Sequence, residues 1–216
     1  MTHSAQLDLI APPPPLCRQE ALRRLDEMVG VDLRPLAETH GITVWRDGQR
    51  NKGWAGQVVE RLLGRSPNSE KAADFGDWEL KVVSVLPDAE GRPRVKESMA
   101  LAMFNPAEIE ADGFDESHVL SKLDRLLVVA RWFDGPDEAY APVVGAAAFD
   151  LTDATLRARV NDDYDEIRWV VRSQGVHALH GGIGALIQAR PKGDGRLAFY
   201  ARARFVSFML GLAEAP

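Results

Sequence analysis

The stretch Asp74-Phe75-Gly76-Asp77-Trp78-Glu79-Leu80-Lys81, followed by the apolar run Val82-Val83-Ser84-Val85, holds the residue types best suited to chemistry. The apolar run predicts a strand, and side chains two apart on a strand point to the same face, so Glu79 and Lys81 share one. A carboxylate beside an ammonium, with a second carboxylate from the preceding turn, can hold a divalent cation and position a water for attack on phosphate. That is the arrangement used by metal-dependent nucleases. Asp74 is the preferred second ligand because it reaches from across a turn; Asp77, two before Glu79, is the alternative.

Other chemistry is poorly supported. His177 and His180 are spaced by three but have no third ligand near in sequence. Gly181-Gly182-Ile183-Gly184 lacks the Lys-Ser/Thr of a nucleotide loop and reads as a flexible turn, so ATP use is not expected.

Those side chains need a scaffold. With 216 residues and 45% hydrophobic content, the chain can form one sizeable core or one domain with two lobes, and we expect residues 16 to 216 to form a single globular unit. Pro12 to Pro15 form a stiff polyproline run, so residues 1 to 15 read as a flexible tail. Leu22, Leu25 and Val29 lie on one face of a helix over Cys17 to Val29, and Leu33 to His40 reads as a second helix. Asn51-Lys52-Gly53 turns into a third, carrying Trp54, Val58, Leu62 and Leu63. Glu60 lies on that helix near its apolar stripe, where an acid must be paired, metal-bound or turned outward.

Strands are predicted over Met99 to Phe104, Leu126 to Trp132, Val143 to Phe149, Ala185 to Ala189 and Leu197 to Ala201. A helix or helix pair follows from Thr152 to Arg172, and a final helix from Arg204 to Leu212. The mixture predicts an α/β fold, a mixed sheet flanked by helices.

Charge is unevenly distributed. The chain carries a net −6, yet residues 105 to 170 hold 15 acidic and 6 basic residues, while 181 to 204 hold five basic residues against Asp194. A basic C-terminal segment on an acidic protein suggests one face for a polyanion. The single Cys17 excludes an internal disulfide and fits a reducing, cytoplasmic compartment. No signal pattern or membrane-spanning stretch is evident, so a membrane partner is not expected.

The ordered motifs resemble a known family. Asn51-Lys52-Gly53-Trp54-Ala55-Gly56-Gln57-Val58-Val59-Glu60, Asp74-Phe75 with Glu79-Leu80-Lys81, Ser117-His118-Val119 with Lys122-Leu123, Arg190-Pro191-Lys192 and Phe199-Tyr200 together resemble the MutH family of DNA mismatch-repair endonucleases. The resemblance runs from about Pro12 to Leu212. It implies a restriction-endonuclease-like fold, with two lobes around a DNA cleft, and Mg²⁺ held by Asp74, Glu79 and the Leu80 carbonyl. By the same resemblance Lys81 orients or deprotonates the attacking water, Lys122 sits near the scissile phosphate and Glu60 completes the acidic cluster. Arg190 and Lys192 match base and phosphate readers, and Tyr200 an aromatic that senses adenine. The implied activity is methylation-sensitive nicking of double-stranded DNA at GATC or a related site. The implied partner is MutL, downstream of MutS, acting on a protein that is monomeric when free. A restriction enzyme cutting both strands, or an inactive methylation-sensing module, are the alternatives. The interval from Lys192 to Phe199 is shorter than in well-known members, which leaves the exact DNA sequence open. The acidic stretch after Pro136 and the C-terminal helix are candidate docking surfaces.

Overall fold

The computed structural model describes residues 16–65, 75–193 and 195–216. The Pro-rich tail and Asp74 lie outside the described residues. Seven α-helices and nine strands are assigned among those described. They begin with α1 (Arg18–Asp26), α2 (Leu33–Thr39), a two-residue hairpin of β1 (Trp45–Arg46) and β2 (Gln49–Arg50), and α3 (Trp54–Leu62). Asp47 and Gly48, both at positive φ, make the tight turn between β1 and β2 that an Asp-Gly pair favours.

Next come β3 (Glu79–Pro87), β4 (Pro93–Val95), β5 (Met99–Phe104), α4 (Pro106–Ala111), α5 (His118–Leu123), β6 (Arg125–Trp132) and β7 (Val143–Asp150). The long α6 (Ala154–Gln174), a 3₁₀ turn at Val176–Ala178, β8 (Ile187–Pro191), β9 (Leu197–Ala201) and α7 (Ala203–Met209) complete the chain. A four-stranded sheet runs β4-β3-β6-β7 and a three-stranded antiparallel sheet runs β5-β9-β8. Among the described residues only β3 and β6 pair in parallel, so the larger sheet is mixed. The expected mixed α/β architecture is the one observed.

The four-stranded sheet separates two cores, and the period of two sorts its residues between them. Leu80, Leu127 and Val129 pack with Ala21 and Leu25 of α1, Leu33 of α2 and Trp54 and Val58 of α3. Val83, Val85, Leu126 and Val128 face the other way, against β5, β8, β9, α5, α6 and α7. Because both faces are covered, β6 is buried from Leu126 to Ala130, which explains its unbroken apolar run. None of the helices among the described residues is long and apolar enough to cross a membrane.

Several boundaries differ from those predicted. The first helix ends at Asp26, three residues short of Val29, and Thr152 to Arg172 is one helix, shifted to Ala154–Gln174. The strand expected from Ala185 starts at Ile187, because Asp163 on α6 captures the N–H groups of Ala185, Leu186 and Ile187 and holds them in a turn. α4 and α5 were not anticipated. Both carry readable N-terminal signals: an Asn105/Glu108 capping box with Pro106 at the first helical turn, and a Ser117 cap.

Candidate active site

β3 begins at Glu79, and the turn before it is fixed by aromatic packing. Phe75 and Trp78 stack with centroids 4.1 Å apart, the Phe75 N–H donates to the Trp78 carbonyl, and Trp78 Nε1 donates to the Leu16 carbonyl. Both rings are buried, so the chain enters the strand from an anchored position. Alternation then directs Leu80 into the core beneath α3, while Glu79 and Lys81 take the opposite face, as the spacing predicted.

The parallel partner brings in a third group. Glu79 lies in register with Leu126, and α5 ends just before β6, carrying Lys122 to the level of Glu79. Lys81 Nζ is 2.6 Å from Glu79 Oε1, and Lys122 Nζ is 2.8 Å from Glu79 Oε2. Glu79 is only 3% exposed, and Lys122 is buried with it. Burial disfavours the charged carboxylate, but Lys81 and Lys122 outweigh it and hold the Glu79 carboxyl below its ordinary pKa. The result is a carboxylate kept ionised between two ammoniums.

Other expected residues are placed as follows. Glu60 is half-buried on α3, the helix packed on the Leu80 side of the sheet. Asp77 precedes the strand, is exposed and pairs with Arg125. β4 pairs only with Val85 to Pro87, so among the described residues one edge of β3 from Glu79 to Val83 has no ladder partner, and alternate main-chain carbonyls there face away from the sheet. His177 sits in the 3₁₀ turn and His180 beyond it, where its Nδ1 accepts the Gly182 N–H. Among the described residues there is no group of three or more His, Cys, Asp or Glu side chains placed to hold an ion.

The basic C-terminal segment forms the β8–β9 hairpin. Phe199 turns into the core beside Phe104 and Tyr164, whereas Tyr200 takes the other face. Arg190 lies over the Tyr200 ring, its Cζ 4.5 Å from the centroid, a cation–π contact across the hairpin. Lys192 stands at the turn, its N–H donating to the Arg196 carbonyl.

One cluster escaped sequence reasoning. Glu138, within the acidic stretch read as a docking surface, is buried; its Oε1 accepts from Arg50 at 2.9 Å and its Oε2 from Arg131 at 3.0 Å and from the Trp54 indole. Arg131 also lies over the Trp54 ring. The network ties the loop between β6 and β7 to the start of α3, so this part of the stretch is interior rather than surface. C-terminal α7 likewise buries Phe205, Val206 and Met209. The available signals were Glu138 seven residues after Arg131 and a Trp whose N–H needed an acceptor.

The family model described as DNA mismatch repair enzyme MutH matches residues 63–139, a segment that includes Glu79, Lys81 and Lys122. A protein of Shewanella sp. strain MR-7 named DNA mismatch repair protein MutH is 31% identical over 183 residues, covering 83% of this chain and 79% of the relative. A relative of the same name from Shewanella sp. strain MR-4 is 30% identical with the same coverage, and one from Shewanella oneidensis is 29% identical. Likeness at that identity, extended over most of both chains, establishes that this chain belongs to the MutH family of DNA mismatch repair enzymes.

Proposed function

We propose that this chain is a Mg²⁺-dependent endonuclease that nicks one strand of double-stranded DNA at GATC or a related site, in a methylation-sensitive way, during mismatch repair. The observation that carries the reading is Glu79 buried between Lys81 and Lys122 at the start of a strand, within the segment that matches the family.

The donor chemistry fits the metal. Glu79, Glu60, Asp74 and a main-chain carbonyl, for which Leu80 is the expected source, offer only hard oxygen atoms, the set suited to Mg²⁺ rather than to zinc or copper. Asp74 is preferred over Asp77 for its place in the Asp74-Phe75 pair and because a ligand is needed from across the turn before β3. The charges also balance. Three carboxylates and one phosphodiester offset two ammoniums and one dication. When bound, Mg²⁺ would polarise the scissile phosphate and lower the pKa of a water.

The protein groups have separable tasks. Lys81 orients the attacking water and stabilises negative charge as it grows on the transition state, where a fixed cation in a dry cleft acts more strongly than in bulk water. Lys122 offsets charge on the scissile phosphate, and Glu60 completes the acidic cluster. Arg190 and Lys192 contact base and phosphate, since an Arg fork matches guanine in the major groove. The Tyr200 edge, held beneath Arg190, separates an adenine amine from a methylamine by fit.

We further infer that residues 16–216 act as one endonuclease domain whose metal-binding and base-reading lobes flank the DNA. The reading also includes a cytoplasmic protein, monomeric when free and switched on by MutL downstream of MutS. Purified protein incubated with unmethylated, hemimethylated and fully methylated GATC duplexes, with Mg²⁺ or with EDTA, tests it. Nicks confined to unmethylated strands and abolished by EDTA are expected. Absence of any metal-dependent break in all three duplexes, with MutL present, would overturn it; breaks in both strands without a partner would instead favour a restriction enzyme.

A further inference from the structure

The turn leading into β8, read from sequence as flexible, is gripped from two sides. Asp163, buried on α6, accepts the main-chain N–H groups of Ala185, Leu186 and Ile187 at 2.6, 2.5 and 2.9 Å. Glu166 on the same helix accepts the Gly184 N–H at 3.2 Å. From the opposite side Arg202, the residue before α7, donates Nε to the Gly184 carbonyl at 2.8 Å and Nη2 to the carbonyls of Gly181 and Ile183 at 2.7 and 2.9 Å. Arg204 Nε reaches the Ala185 carbonyl at 3.1 Å. Carboxylates thus hold the N–H groups and guanidiniums hold the carbonyls. These are charge-assisted bonds, the stronger class. Gly184, at φ +75°, is the residue the turn requires, since a Cβ there would collide with the Ile187 carbonyl oxygen.

The grip acts on the hairpin that carries the proposed DNA readers. Ile187, the last N–H held by Asp163, opens β8 and precedes Arg190 by three positions; Arg202 follows Tyr200 by two. Both ends of the hairpin are therefore fixed at its base. A third tie, Gln188 Nε2 to Ser98 Oγ at 3.1 Å, holds β8 to the residue before β5. The register that sets Gln188 opposite Tyr200 is the one that lets Arg190 lie over the Tyr200 ring.

We propose that Asp163 and Arg202 are positioning residues for base recognition, clamping the β8–β9 hairpin so that Arg190 and Tyr200 meet the duplex already aligned. The inference rests on the reading that this hairpin contacts DNA. A preset hairpin avoids the ordering entropy that a loose one loses on binding, so the clamp acts on affinity and discrimination. It touches none of the groups assigned to bond cleavage.

Steady-state cleavage by the full chain with MutL present, on a GATC duplex and on one with a single base pair changed, tests this at a temperature well below the unfolding midpoint of every variant. Asp163→Asn leaves one acceptor oxygen where two served, and Arg202→Gln removes the fork. Each is expected to raise KM for the GATC duplex about tenfold and to shrink discrimination by a similar factor, with kcat at saturation within about twofold. Arg202→Lys, which keeps the charge and one donor, should fall between wild type and Arg202→Gln. If a central variant does not fold, Glu166→Gln and Arg204→Gln, at the rim of the clamp, should shift KM and discrimination in the same direction by less. Unchanged KM and discrimination, or a fall in kcat matching the rise in KM, would overturn the clamp. Arg190→Ala is the control. If it leaves discrimination intact, the DNA reading of the hairpin is what fails; if it erases discrimination while the clamp variants do not, the clamp fails alone.

Discussion

Glu79 and Glu138 are both buried glutamates pinned between two cations, yet the two regions are built for different ends. Glu138 is held by one N–H from each of the planar guanidiniums of Arg50 and Arg131 and by the Trp54 indole, joining a loop to a helix. Glu79 is held by two lysines, each a point charge on a flexible four-carbon stem. Guanidinium forks fix a carboxylate in one orientation. Ammoniums on flexible stems are less directional, which suits the tasks proposed for Lys81 and Lys122. The Glu138 residue itself sits at φ +48°, a conformation an L-residue rarely adopts unless its surroundings impose it, so the network around it also holds its backbone.

The contrast can be broken most directly at Lys81. Lys81→Ala should cut the cleavage rate about a thousandfold, roughly 4 kcal/mol of transition-state stabilisation, while duplex affinity stays close to wild type. Single-turnover cleavage and equilibrium binding measure the two separately. Its unfolding midpoint should barely move, because Lys122 still faces Glu79. At the other site, Glu138→Gln should lower unfolding stability by about 3 kcal/mol, because the buried Arg131 and the partly buried Arg50 lose their counter-charge. Urea unfolding of the two variants side by side is the decisive pairing: equal destabilisation would erase the distinction between them.

A surface pair sets the lower end of the scale. Arg18 of α1 reaches Asp150 at the end of β7 at 2.6 Å, and its hydrogen bond lowers the Asp150 pKa although partial burial opposes this. A depressed carboxylate stabilises the fold above its unfolded pKa and loses that contribution as pH falls through the folded one. With 37% of the Asp150 side chain exposed, solvent screening limits the pair to under about 1 kcal/mol. Asp150→Asn should therefore show a small deficit by urea unfolding at neutral pH. The deficit should fade as pH drops below the ordinary aspartate range.

How much of this was legible depended on the range of the signal. The shared face of Glu79 and Lys81 follows from a two-residue period and needed no fold. Lys122 lies 43 residues from Glu79, and only the parallel pairing of β3 with β6 brings them together, so its place came from family resemblance rather than from pattern. The helices α4 and α5 are six residues each, too short for an apolar period to show, although their caps were written in the chain. Glu138 misled because acids in an acidic run normally face water, and the partners that bury it come from β2, α3 and β6. The glycine-rich turn misled for the converse reason: glycine permits its shape, but Asp163 and Arg202, distant in sequence, make it rigid.

The crossover between β3 and β6 carries a safeguard. A ribosome-bound chain that has exposed Glu79 and Lys81 still lacks Lys122 and the strand that aligns it, and a chain that opens between these strands loses the trio at once. On the proposed reading, the capacity to break DNA is thereby a property of the finished fold, set by the topology of a single pairing.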